Sequence, residues 1–84
     1  MEITDIRIKK VNGEGALLGY ASVTFDDEFV VHNIRIMSGR NGNYIVMPNR
    51  KMKNGEYKDI AHPIKTEFRR KLENAILEAY NALQ

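Results

Sequence analysis

The sequence predicts an α+β domain in which an antiparallel meander of about five β-strands is followed by one long C-terminal helix. Three observations lead to this prediction. Apolar and polar residues alternate through the first 61 residues, turn-forming residues interrupt the alternation at short intervals, and the period becomes helical near residue 63. The 84 residues form a single domain, 1–84, because so short a chain cannot build a second core.

The first two strands are predicted as a hairpin. Residues 6–9 alternate apolar and basic side chains, as a half-buried strand does. Residues 12–15, Asn-Gly-Glu-Gly, tolerate the positive φ angles of a hairpin turn. Residues 17–25 then read as the second strand, whose odd positions form an apolar face: Leu17, Gly19, Ala21, Val23 and Phe25.

The third strand is predicted over residues 29–37, after a tight acidic turn at 26–28. It is rich in β-branched residues and carries apolar side chains on both of its predicted faces. A strand that is apolar on both sides is central in its sheet or needs a cover for its second face. One face holds Phe29 and Val31, and the other holds Val30, Ile34 and Ile36.

The last two strands are shorter. Residues 38–43 have the composition of a loop, and residues 44–47 form a fourth strand that Pro48 stops. Residues 49–56 read as a basic loop with an Asn-Gly turn, and residues 57–61 as a fifth strand.

The C-terminal helix is predicted from about Pro63 to Leu83, with Thr66 as an alternative N-cap. Proline disfavours helical backbone at the preceding His62 and suits the first helical turn. The apolar residues fall within a stripe roughly 100° wide. The stripe consists of Phe68, Leu72, Ala75, Ile76, Ala79 and Leu83.

A homodimer is predicted from two apolar features. The third strand needs a cover for its second apolar face, and Leu77 lies opposite Phe68 on the helix, away from the predicted core. The alternative is that Leu77 is a single exposed leucine, which is common on protein surfaces.

Composition excludes several classes of protein. The chain has no cysteine, so disulfides, zinc-thiolate sites and cysteine nucleophiles are excluded. It has no run of about 18 apolar residues that could cross a membrane. Its first residues lack the basic and apolar regions of a signal peptide, so we expect a cytoplasmic location.

The residues do not predict an enzyme, a metal site or a cofactor. Neither His32 nor His62 has a His, Asp or Glu at the i+4 spacing of a helical metal site, so both are interpreted as structural. The acidic residues 26–28 could bind a hard cation, but a solvated turn is favoured. No phosphate loop or nucleophile motif is present, and no small-molecule substrate is expected.

Basic charge predicts a nucleic-acid partner. Residues 35–71 hold ten basic and three acidic residues, whereas residues 1–34 hold three basic and six acidic ones. A solvated basic face is the alternative. Cations near a helix N-terminus oppose the macrodipole, so their presence there favours binding to a polyanion. The candidate residues are Arg50, Lys51 and Lys53 in the basic loop, and Lys65, Arg69, Arg70 and Lys71 near the helix start.

Tyrosines could add base stacking to this interface. Tyr20, Tyr44 and Tyr57 would stack on single-stranded bases if they are exposed. The alternative is that they lie in the interior or in a protein interface.

Four segments resemble the SpoVG family of bacterial regulators, in one register along essentially the whole chain. They are residues 1–8 (MEITDIRI), 29–36 (FVVHNIRI), 46–48 (VMP) and 59–64 (DIAHPI). The resemblance implies a homodimeric α+β protein that binds DNA and, in some members, RNA. It also implies a role in gene expression linked to septation, sporulation or virulence.

The resemblance further implies nucleic-acid contacts from basic residues of the C-terminal helix. The matching positions are Arg69, Arg70 and Lys71, with Lys65 nearby. The alternative hypothesis is a protein-interaction module that acts on the cell-division or septation machinery, since an exposed sheet edge could bind a partner strand.

Overall fold

The computed structural model describes residues 1–13 and 15–83, which form six strands and one helix. In chain order these elements are β1 (Ile3–Lys10), β2 (Leu17–Phe25), β3 (Phe29–Gly39), β4 (Gly42–Val46), β5 (Asn49–Lys51), β6 (Tyr57–Asp59) and α1 (Thr66–Ala82). The first four strands form an antiparallel sheet in the order β1-β2-β3-β4, and β5 pairs with β6 in a separate sheet. The predicted α+β class, with a meander followed by a C-terminal helix, is confirmed.

The fifth predicted strand does not extend the meander. It corresponds to β6, which pairs with β5, and the residues of β5 were predicted to be loop. Pro48 separates β4 from β5 and has no N–H to continue the ladder. Its carbonyl accepts a hydrogen bond from Ile60 N at 2.7 Å, which closes the end of the small sheet. The predicted loop 38–43 is mostly strand, because Gly39 pairs with Gly42.

The predicted apolar face of β2 is confirmed from Gly19 to Phe25, where the odd positions are buried. The register with β3 shifts between Leu17 and Gly19, and Leu18 packs against the core there. The preceding turn was predicted at residues 12–15, of which Glu14 lies outside the described residues. A bond from Val11 N to Leu18 O, 3.0 Å long, joins the two strands beside this turn.

The prediction that β3 is apolar on both faces is wrong, because a β-bulge changes its phase. The register with β2 shifts so that Val31 lies opposite Val23 while Ile34 lies opposite Ala21. Asn33 adopts a positive φ of 63°, which asparagine tolerates better than most residues. Val31 and Ile34 therefore both face the core, and Val30 is left exposed on the other side.

The helix begins at Thr66, three residues after the earliest predicted start. Lys65 occupies the N-cap position with extended backbone and no side-chain capping bond, so Thr66 is not the cap. At the other end, Leu83 N donates to Tyr80 O at 3.1 Å. No helix in the described residues is long and apolar enough to span a membrane.

The core lies between α1 and one face of the four-stranded sheet. The backbone of α1 comes close to β1 and to β4, the two outer strands of that sheet. A wide arc of the helix therefore faces the sheet. Leu77 is half-buried against this core, so the prediction that it faces away is wrong. The buried residues are Ala21, Val23, Phe25, Ile34, Ile36, Ile45, Met47, Leu72 and Ile76.

Candidate nucleic-acid interface

The β5–β6 hairpin gathers the first group of predicted cations. Arg50 and Lys51 lie on β5, and Lys53 lies in the turn that follows; all three are exposed. Together with Met52 and Asn54 they line a shallow depression of about 420 Å³ that no carboxylate lines. An anion that enters this depression would therefore meet only positive charge.

The turn of this hairpin is held by local hydrogen bonds. Met52 N donates to Glu56 O at 2.6 Å, and Gly55 N donates to Met52 O at 3.0 Å. Gly55 has a φ of 88°, which a residue with a Cβ rarely adopts, and Asn54 Oδ1 accepts from Glu56 N at 3.0 Å. The predicted Asn-Gly turn thus positions the basic residues on either side of it.

Lys58 belongs to the same group, although the sequence argument did not include it. It lies on β6 directly opposite Arg50, and both side chains are exposed. Like charges at directly opposed positions destabilise a strand pair, so the stability of the hairpin alone does not favour this arrangement. The sequence contained a signal for Lys58. If the predicted strand at residues 57–61 is paired with the residues before the Asn-Gly turn, Lys58 falls beside the basic residues there.

The helix cations are not brought together in the same way. Lys65, Arg70 and Lys71 are exposed, whereas Arg69 is half-buried. Successive helical residues are separated by about 100°, so residues 69, 70 and 71 point in three directions. Lys71 lines a depression that Glu2 and Glu78 also line, on the β1 side of the helix. Contact of this run with nucleic acid stays a prediction.

Arg69 and Glu73 bind the outer edge of β4. The backbone N–H of Ile45 donates to Glu73 Oε2 at 3.1 Å, and Arg69 Nη2 lies 3.5 Å from Ile45 O. One turn of helix thus contacts both polar groups of one edge residue. This pair of contacts gives Arg69 a structural role, which its spacing in the sequence does not reveal.

We expect Glu73→Ala to lower the free energy of unfolding by about 1–3 kcal/mol, because the partly buried N–H of Ile45 would lose its acceptor. Glu73→Gln keeps a carbonyl oxygen and should retain most of the stability. Glu78→Ala is the matched control, since Glu78 is exposed on the same helix. Urea unfolding of the three variants measures the effect, and equal losses for Glu73→Ala and Glu78→Ala would contradict it.

An apolar groove lies beside the start of α1. It has a volume of about 480 Å³, and Phe25 and Phe68, whose ring centroids are 5.8 Å apart, contribute to its lining. Lys65 and the exposed side chains of Phe29 and Ile64 also line it. Lys65 is therefore near an apolar surface rather than within the cationic depression of the hairpin.

His32 and the acidic turn make local contacts, whereas His62 has no hydrogen bond among the described residues. His32 Nδ1 is 2.9 Å from Ser22 Oγ, and His62 is exposed. Asp26 Oδ1 accepts from Glu2 N at 2.9 Å, which ties the β2–β3 turn to the start of the chain. Within residues 1–13 and 15–83 there is no group of three or more potential metal ligands.

The chain is similar to known proteins over nearly its whole length. A model of the SpoVG family matches residues 1–82. "Putative septation protein SpoVG" of Clostridium beijerinckii is 59% identical over 80 residues, covering 95% of this chain and 88% of that protein. Proteins of the same name from Clostridium novyi and Treponema denticola are each 54% identical, covering 100% and 95% of this chain and 84% and 86% of their own lengths. The resemblance seen in the sequence is confirmed.

Proposed function

We propose that this chain, which belongs to the SpoVG family, is a cytoplasmic regulator that binds DNA or RNA as a homodimer. Its effect would be on gene expression linked to septation, the process in the names of its relatives, or to sporulation or virulence. The observation that carries the proposal is the exposed cationic group of the β5–β6 hairpin. That group, the hairpin cations, consists of Arg50, Lys51, Lys53 and Lys58.

The hairpin cations suit phosphate binding better than any local structural role. Arg50, Lys51 and Lys53 line a depression without carboxylates, and Lys58 and Arg50 repel each other across the strand pair. Phosphate groups would relieve that repulsion and supply affinity without reading sequence. Lys65, Arg70 and Lys71 are additional exposed candidates, and Arg69 would contribute the donors that Ile45 O does not use.

The experiment is a fluorescence anisotropy titration with short duplex DNA, single-stranded DNA and RNA across a range of salt concentrations. We expect wild-type affinity to fall steeply with salt, by a log–log slope of about 0.9 for each duplex phosphate contacted. Arg50→Gln/Lys51→Gln/Lys53→Gln should lower that slope by about 2–3. Glutamine keeps much of the side-chain length, so the fold of the hairpin is retained.

A second triple variant, Arg69→Ala/Arg70→Ala/Lys71→Ala, measures how much the basic residues of the helix contribute to nucleic-acid affinity. Its unfolding must be measured in parallel, because Arg69 contacts the edge of β4. The proposal is contradicted if wild type binds none of the three probes at low salt. The site assignment is contradicted if both triple variants bind as wild type does.

Homodimer formation is supported by an excess of exposed surface. The chain exposes 6479 Å², whereas a folded monomer of 9.7 kDa exposes about 5,100 Å². The difference, about 1,400 Å², exceeds the roughly 800 Å² that each partner buries in a standard interface. The radius of gyration of 13.0 Å is likewise larger than the roughly 12 Å expected for this length.

The apolar groove is the surface that we assign to the dimer. Phe29 is 61% exposed and Ile64 is 90% exposed on its rim, and large apolar side chains grouped in this way are unfavourable in water. A two-fold axis beside the groove would bury the same residues of both copies.

A second candidate function is binding to a protein of the division machinery. The observation that favours it is the position of β1 at one end of the sheet order, with a ladder partner only on its β2 side among the described residues. A partner strand could pair with this edge. A partner that stays bound after nuclease treatment and in high salt would favour this function, and loss of every partner would count against it.

A further inference from the structure

The sheet has a second face, on the side away from α1, and polar side chains at its centre are open to solvent. Ile36 and Ile45 point into the core, so their neighbours Arg35 and Tyr44 point to this open face. Tyr20 reaches it from β2, where it alternates with buried positions. The open face therefore carries two tyrosines, on β2 and β4.

A transverse row on this face places a tyrosine between two cations. Tyr20 pairs with Lys9 of β1 on one side and with Arg35 of β3 on the other. Directly opposed residues in an antiparallel sheet have Cβ atoms about 4.5–5.5 Å apart, so the three side chains are neighbours. Lys9 and Arg35 are exposed, and the Tyr20 side chain between them is half-buried.

Tyr44 provides a second aromatic ring on the same face. It pairs with Met37 of β3, and its side chain is 42% exposed. A Cβ on Gly39 would lie 2.9 Å from Tyr44 Cε1, so the ring rests against that glycine. Tyr44 and Tyr20 are two strands apart, about 10 Å across the sheet, and offset by about 7 Å along it.

The charge of this face suits a polyanion. Arg7 lies on β1 opposite Ser22 and adds a third exposed cation to Lys9 and Arg35. Asp5 Oδ2 lies 3.1 Å from Arg7 Nε, and Asp27 and Glu28 line a depression together with Arg7. The neighbouring depression, which Lys9 and Tyr20 line, has no carboxylate in its lining. A second copy of the same basic face would be repelled, so the charge favours a nucleic acid over self-association here.

We propose that this open face, which we call the tyrosine platform and define by Tyr20, Tyr44, Lys9, Arg35 and Arg7, binds single-stranded nucleic acid. The inference rests on the proposed nucleic-acid function and names the class of substrate. Bases stack on exposed aromatic rings only when their own faces are free, which requires an unpaired strand. Tyr20 and Tyr44 stack on bases, while the flanking cations hold phosphates on either side.

The test uses the full chain and oligonucleotides of about 12 nucleotides, as single-stranded DNA, single-stranded RNA and a matched duplex. Tyr20→Leu/Tyr44→Leu should weaken single-strand binding at least tenfold, an order-of-magnitude expectation for two lost stacking rings. Duplex binding through the hairpin cations should change by less than about twofold. Comparison of the DNA and RNA probes identifies which single strand is preferred.

Three further variants keep the result interpretable. Tyr20→Phe/Tyr44→Phe retains both rings and should bind as wild type does. Ile60→Ala shortens an exposed apolar side chain that belongs neither to the tyrosine platform nor to the hairpin cations, and it should also bind as wild type does. Lys9→Gln/Arg35→Gln changes only exposed side chains, so it tests the inference even if the leucine variant fails to fold. It should lower the slope of log affinity against log salt concentration for single strands by about 1.4.

Two results would overturn the inference. One is a folded Tyr20→Leu/Tyr44→Leu variant that binds single strands with wild-type affinity. The other is a salt slope that Lys9→Gln/Arg35→Gln leaves unchanged. If either is found while the hairpin variant still loses binding, the tyrosine platform is excluded and the proposed function stands. If wild type binds no probe, both are excluded.

Discussion

Truncation of Ile36 to alanine is expected to lower the free energy of unfolding by about 2–5 kcal/mol. Ile36 is 0% exposed, pairs with Ile45 on β4 and belongs to the cluster that packs beneath α1. Its removal costs the transfer free energy of the lost carbons and leaves a cavity that neighbouring strands cannot fill. Because small domains have a total stability of about 5–15 kcal/mol, this single change removes a large fraction of the free energy of unfolding.

Ile60→Ala is the matched control, since it makes the same substitution at a side chain that is 67% exposed. We expect it to change stability by less than about 0.5 kcal/mol. Urea unfolding should be followed at two protein concentrations, because a dimer couples stability to concentration. Equal losses for Ile36→Ala and Ile60→Ala would contradict the core that the structure describes.

The substitution Phe29→Ser/Ile64→Ser is expected to convert the proposed dimer to a monomer. Full burial of an apolar side chain of this size contributes about 1.5–3 kcal/mol. Because a two-fold interface contains both side chains from each copy, four are lost, which would raise the dimer dissociation constant by at least about 10⁴. Sedimentation equilibrium or light scattering after gel filtration measures the oligomeric state.

Ile60→Ser controls for the loss of exposed apolar surface outside the groove, because Ile60 is exposed but does not line it. It should leave the dimer intact. A wild-type chain that is monomeric at high concentration would exclude the dimer, and a groove variant that stays dimeric would exclude this interface. The groove variant should also bind nucleic acid more weakly, since a dimer presents two sets of hairpin cations.

Much of the fold could be predicted from local patterns. The alternation in β2 and the helical stripe around Leu72 and Ile76 each report on one element and its buried face. These patterns are local because side-chain direction follows from backbone geometry, with a period of two in strands and 3.6 in helices. The basic residues 50, 51 and 53 were identified from charge clustering in a segment that was predicted to be a loop.

The structural predictions that were wrong concern places where that periodicity is interrupted or where residues distant in the sequence come into contact. The positive φ of Asn33 shifts the phase of β3 by one residue, so a strand that alternation assigns two apolar faces has one. The helix packs across the sheet through a wide arc, which includes Leu77. No spacing along the chain indicates that Arg69 and Glu73 reach the backbone of Ile45.

The sequence by itself determined the α+β class, the family, the strand-then-helix order and the basic character of residues 35–71. Tertiary structure decided which basic side chains lie close together. It placed Lys58 against Arg50, separated the directions of Arg69, Arg70 and Lys71, and aligned Lys9, Tyr20 and Arg35 across three strands. The reason is that composition and periodicity describe single elements, whereas a binding surface depends on the register between elements.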